Sequence, residues 1–145
     1  MRYAGFWTRV NAYGYDVILV QLMALMPMFA FYHFPSMEQL VRADPAVHIW
    51  FSAFGYFALA ISAAYNILLV AGPKQATLGK VYCGIKVVTV DGGRVTLMQS
   101  AIRHATSGIS TLLGGLGFLT VAFTREKTCI HDLLAFTRVV RTEAL

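Results

Sequence analysis

The chain has 145 residues, 57% hydrophobic, 13% aromatic and 13% charged, with a formal net charge of +5. Soluble domains carry roughly 25% charged residues, so this composition excludes an ordinary water-soluble globule and points to a small all-α integral membrane protein, a single domain over residues 1–145. The positive surplus does not imply nucleic acid, because the basic residues punctuate apolar segments instead of forming one patch.

The first apolar run, Tyr15 to Phe34, is long enough to cross a hydrocarbon core of ~30 Å, which takes ~20 helical residues. Arg2 and Arg9 before it look like the basic start of a signal peptide. The run is nevertheless too long, contains Asp16 and Gln21, and lacks a small-x-small cleavage site before Pro35, so it reads as a span. A short loop with Pro35, Glu38, Arg42, Asp44 and Pro45 leads to the second span, Ile49 to Ala71. Gly55, Ala58 and Ser62 form a small-residue stripe on it, and Gly108, Ser107 and Thr111 form another further on, surfaces for close helix approach. Trp7, Trp50, Tyr13 and Tyr32 fall where interfacial aromatic belts are expected.

After Pro73 the chain turns basic, with Lys74, Lys80, Lys86, Arg94 and Arg103, whereas Arg42 alone lies between the spans. The positive-inside rule therefore places the N-terminus in the cytoplasm. Lys74 and Lys80 are expected at anionic headgroups. Thr77, Gly79 and Lys80 lack the G-x-x-x-x-G-K spacing of a phosphate loop and read as a membrane-exit turn. Ile85 to Val90 alternates with β-branched residues and runs into Asp91-Gly92-Gly93, which predicts a small cytoplasmic β-hairpin within about residues 77–96. Thr96 with Gln99 makes a capping box that starts a helix at Leu97.

The third apolar region, within residues 97–123, is interrupted by Gly114, Gly115 and Gly117. A single crossing would leave 7 Lys/Arg inside and 5 outside; a turn back gives 11 and 1, so a broken or re-entrant helix is expected. Its shortness for two full spans keeps the single crossing open. The tail, 124–145, is then cytoplasmic, and Phe136 to Arg141 reads either as a strand added to the hairpin or as a frayed end. Cys83 and Cys129 have no C-x-x-C spacing and read as free thiols.

Three places carry a resemblance. Tyr3-Ala4-Gly5-Phe6-Trp7-Thr8-Arg9 through Asp16, Thr77-Leu78-Gly79-Lys80 with Gly84-Ile85-Lys86 and Asp91-Gly92, and His131-Asp132-Leu133-Leu134-Ala135 with Thr137 together are similar to the RDD family of small bacterial membrane proteins. In that resemblance Arg9 is the arginine and Asp16 and Asp132 the two aspartates. Phe136 departs from it, because the family commonly has glycine before the threonine. The resemblance implies the bacterial plasma (inner) membrane and a transport role, with cation/proton exchange suggested for some members.

Arg9 and Asp16 are seven residues apart and share a helix face, but stand ~10 Å apart along the axis, too far for a tight pair. Each needs other partners, and Arg103 and Asp132 fall near the same cytoplasmic boundary. Arg9, Asp16, Asp132 and Arg103 are therefore the expected polar network of a transport site, or a staple between helices. Burial would raise the pKa of Asp16 and a guanidinium contact would lower it. No Ser/His/Asp or Cys/His set converges, so no enzyme is expected; nor is a cofactor. His33, His48, His104 and His131 show no metal spacing, and His131 beside Asp132 is the one to follow in a pH titration. The expected partners are the lipid bilayer, further copies of the chain, and, for an alternative role in assembly, another membrane protein.

Overall fold

The computed structural model describes residues 3–31, 33–112 and 129–142. In chain order it contains α1 (Phe6–Phe31), α2 (Met37–Val41), α3 (Pro45–Ala71), α4 (Leu78–Tyr82), β1 (Ile85–Thr89), α5 (Leu97–Leu112), α6 (Ile130–Leu134) and β2 (Thr137–Arg141). Two helices, α1 with 26 residues and α3 with 27, are long and apolar enough to cross a membrane. At about 1.5 Å per residue each extends roughly 40 Å. Both begin earlier than the apolar runs alone suggest, and α1 ends at Phe31, short of Phe34. Pro45 opens α3 because the first helical position needs no N–H donor, and the Asp44 carboxylate accepts from Ala46 N at 2.9 Å.

The chain divides into two compact units. Residues 17–64 form one. Its loop is ordered by a capping box in which Ser36 Oγ accepts from Gln39 N and Gln39 Oε1 accepts from Ser36 N. Trp50 is buried, stacks on Phe54 and meets the edge of Phe34, so its ring packs within this unit. Tyr32 lies outside the described residues. Met26, Phe29, Ile49, Tyr56 and Leu59 are exposed, an outward apolar surface that suits lipid. A Cβ added at Gly55 would meet nothing within 4 Å.

The other unit comprises residues 1–16 and 65–145. Its sheet corrects the hairpin expectation. β1 pairs antiparallel with β2, from Ile85↔Arg141 to Thr89↔Thr137, and the Asp91-Gly92 turn does not return a strand. The turn itself forms: Gly92 N donates to Thr89 O, with Gly92 at φ +83°. Residues 94–96 are too few to make a strand, because the Thr96–Gln99 capping box starts α5 at Leu97. β1's partner therefore comes from the tail, and Tyr3 adds a bridge to Val140. Ala4, Ala12, Val70, Ile85, Val87, Val95 and Val139 form the core.

α5 is polar inward and apolar outward. Ser100, Arg103 and Ser110 are buried while Met98, Ile102 and Ile109 are exposed along one stripe, the reverse of a helix on a water-soluble core. The glycine break at Gly114 to Gly117 expected in the third region lies outside the described residues.

Candidate functional site

The buried positions of the first helix follow one stripe: Arg9, Ala12, Asp16, Val20, Ala24 and Met28. Arg9 and Asp16 do share a face, and two different sets of partners meet them.

At Arg9 the partner is Asp132, a residue with no solvent exposure. Arg9 Nη1 donates to Asp132 Oδ2 at 2.5 Å, and Arg103 Nη1 donates to Asp132 Oδ1. Arg103 Nη1 also donates to Thr137 Oγ1 at 3.1 Å, and Arg9 Nε to Ala4 O at 3.3 Å. Asp132 Oδ2 accepts from Cys129 N at 3.2 Å, closing the first turn of α6. One carboxylate thus ties α1, α5 and α6 together at the entry to β2. Burial acts to raise the pKa of Asp132, but the Arg103 charge foremost, with Arg9 assisting, holds the carboxyl below its ordinary value.

Asp16 sits in a socket of neutral donors. Its Oδ1 accepts from Tyr65 OH at 2.7 Å and Gly79 N at 2.8 Å, and its Oδ2 from Thr77 Oγ1 at 2.5 Å. The Tyr65 oxygen in turn accepts from Leu78 N at 3.0 Å. Thr77 stands at the N-cap of α4 without capping it, since its hydroxyl serves Asp16; the aspartate from α1 caps the helix instead. Gly79 is needed for this approach, because a Cβ there would lie 2.8 Å from Asp16 Oδ1 and press still harder on Ala12 O. The sequence-predicted network is therefore divided: Arg9, Arg103 and Asp132 meet, while Asp16 joins Thr77 and Gly79.

Lys80 departs from the headgroup expectation. It is half-buried, whereas Lys74 is exposed. Burial first, and then the Arg103 charge, lower its pKa to about 8 against the opposing attraction of Asp16 and Asp132. His131 does not titrate near neutrality: burial, then Arg103, bring it to about 3. Its Nε2, 3.6 Å from Asp132 Oδ1, is therefore the edge of a neutral ring.

Cys129, His131 and Asp132 bring ligand-type atoms within 4.8 Å of one another, a convergence that histidine spacing alone does not reveal. The donor set is unsuited to a cation. Both oxygens of Asp132 already face guanidinium groups, and burial pushes the Cys129 thiol up to about 11, keeping it protonated.

Tyr65 is the functional residue that sequence reasoning missed. A tyrosine two turns from the end of an apolar span gives little signal, and its spacing from Thr77 becomes meaningful only once the chain turns at Gly72.

The RDD family profile matches residues 3–136. Among Bacillus subtilis (strain 168) proteins, "Uncharacterized protein YxaI" is 33% identical, covering 94% of this chain and 96% of its own. "Uncharacterized protein YckC" is 29% identical over 94% and 83% of the two chains. "Uncharacterized membrane protein YteJ" is 29% identical over 95% and 80%. No solved structure gives a significant match.

Proposed function

The chain belongs to the RDD family, and from that premise we propose that it is a multi-pass protein of the bacterial plasma membrane, N-terminus cytoplasmic, that moves a small ion or solute as a homo-oligomer. The observation that carries this reading is a group of charged side chains, the buried Arg9, Asp16, Arg103 and Asp132, of which Arg9 and Asp16 lie on α1, a helix of membrane length. Ionisable groups held in such a setting mark ion and solute pathways more often than they serve packing alone. Membrane residence is supported by the apolar outward faces of α1, α3 and α5, and the relative YteJ is named a membrane protein. A return of the third region to the cytoplasmic side is supported by the pairing of β1 with β2, which requires residues 85–89 and 137–141 to share one side of the bilayer. Oligomerisation is supported by the open faces at Gly55 and Gly108, where a Cβ would touch nothing within 4 Å.

Within this reading the two carboxylates are frame and not carrier. Asp132 is committed to two guanidinium groups and Asp16 to three donors, so Lys80 is left as the charged group facing the solute. No catalytic role, cofactor or nucleic acid enters. The test is flux in proteoliposomes for Na⁺, K⁺, H⁺, chloride and phosphate. Flux above protein-free vesicles, lowered by Lys80→Met in a protein that melts normally, is expected; a folded wild-type protein that moves none of them overturns the reading.

The saturation of both carboxylates favours one second reading, a non-transporting module that assembles with another membrane protein. There Asp16→Asn lowers thermal stability and recovery of the partner together, with no flux to lose.

A further inference from the structure

We infer that α5 lies in the plane of the membrane, its face of Met98, Ile102 and Ile109 set into the boundary between phospholipid headgroups and acyl chains. The inference rests on the membrane residence proposed above and involves neither flux nor solute, so the two fail separately.

The polarity of α5 names its surroundings. Met98, Ile102 and Ile109 are exposed and fall within roughly 40° of one another around the axis, while Ser100, Arg103 and Ser110 are buried on the other side. Apolar side chains turned outward beside polar ones turned inward are favourable only where the outside is itself apolar. The single stripe separates α5 from a crossing helix. On α3, Phe51, Tyr56 and Leu68 are exposed in three directions, each at least roughly 100° from the next, as a helix wrapped by lipid requires. One apolar stripe against one polar stripe is the pattern of a helix lying at the membrane surface. The 16 residues of α5 also extend only ~24 Å, short of a hydrocarbon core of ~30 Å.

Hydrogen bonds set the level at which α5 starts. Ser100 Oγ donates to Ile67 O at 3.1 Å, fastening its first turn to the last turns of α3. Gln75 Nε2 donates to Gly93 O at 3.2 Å, joining the segment that follows α3 to the one that precedes α5. That bond brings the neighbouring Lys74 and Arg94, both exposed, to the place where a helix of membrane length ends. Anionic headgroups attract cations held at that level, whereas a second copy of this basic chain would repel them. One turn further along α5, Arg103 Nη1 donates to Thr137 Oγ1 at 3.1 Å, so the helix is still beside the first residue of β2.

The experiment places a nitroxide on the full chain at Met98→Cys, Ile102→Cys or Ile109→Cys, with Leu59→Cys on α3 as the reference for depth. Cys83 is replaced by serine, and Cys129, which has no exposed surface, is left in place. In vesicles of phosphatidylcholine and phosphatidylglycerol, power saturation by oxygen and by a water-soluble nickel complex gives the depth of each label. All three α5 labels should be open to oxygen and lie at one shallow depth, equal within ~5 Å, with Leu59 deeper. Met98 and Ile109 stand ~16 Å apart along the axis, so a depth difference approaching that value means that α5 dives into the core and overturns the inference. Labels shielded from both reagents overturn it too, because protein then covers the face. Labels open to nickel as in water, with Leu59 still deep, overturn it alone; if Leu59 also reads as water, the membrane reading falls with it.

Discussion

Asp16 and Asp132 lie on the same structural unit and are 5% and 0% exposed, yet the first is held by neutral donors and the second by two cations. The difference shows what a buried carboxylate does for its surroundings. Asp132 neutralises: without it two guanidinium groups lose their counter-ion. Asp16 shapes: it gathers a threonine, a tyrosine and a backbone amide, and fixes where the chain turns after α3.

The largest expected effect separates the two. Asp132→Asn leaves two buried guanidinium groups short of charge and should cost about 3–5 kcal/mol, the usual penalty for breaking a buried pair by removing one partner. Asp16→Asn keeps one acceptor and turns a donor toward donors, at about 1–3 kcal/mol. Chemical denaturation of both variants in the same detergent checks the ordering, and equal losses would erase the distinction.

Gly79→Ala attacks the socket alone. Overpacking of this kind costs roughly 1–3 kcal/mol, and because the obstacle is backbone as well as carboxylate, Asp16→Asn should not rescue it. Rescue of Gly79→Ala by Asp16→Asn would show that the backbone is no obstacle, and a Gly79→Ala protein as stable as wild type would show that the close approach is not needed.

The clamp is sharpened by acid. His131 has its pKa lowered to about 3 in the fold, so between its ordinary value near 6.5 and about 3 the unfolded chain binds a proton that the folded chain refuses. Stability therefore falls as pH drops through that window, by up to about 1.4 kcal/mol per pH unit. Asp132 adds to the loss once the pH falls below the ordinary carboxyl value, toward its own depressed one. A melting-temperature series from pH 7 to pH 4 on wild type and His131→Gln isolates the histidine, whose replacement should flatten the slope.

The smallest effect concerns the residue after α6. Phe136 sits at φ +52°, in the left-handed region, and its side chain is 70% exposed. Phe136→Gly relieves that conformation while giving up little burial, and should stabilise the protein by about 1 kcal/mol. A destabilised Phe136→Gly would mean that the ring has contacts worth more than the strain.

That same position explains a departure seen in the sequence. A left-handed residue directly before β2 is a position that favours glycine, and the phenylalanine takes that conformation while Thr137 still pairs with Thr89. Much of the frame was legible in this local way: the two long helices, the Thr96–Gln99 cap, the turn at Gly92, and the convergence of Arg9, Arg103 and Asp132. What the sequence concealed is set at a distance. β1's partner lies about fifty residues on, and no local pattern distinguishes a strand that pairs with its neighbour from one that waits for the tail. Asp16's partners are a tyrosine inside an apolar run, a threonine hydroxyl and a glycine amide. None of them carries a charge that would advertise the contact, whereas the charged partners of Asp132 stood out.

The span of the clamp also bears on how the protein is made. Arg9 and Asp132 are 123 residues apart, and at about 5–20 residues per second the ribosome delivers the aspartate many seconds after the arginine. Throughout that interval the first helix carries an uncompensated charge, and Arg103 waits likewise. The synthesis of α6 therefore closes the clamp, by bringing Asp132 to both arginines. A chain released before residue 132 would present the membrane quality-control proteases with two arginines and no counter-ion.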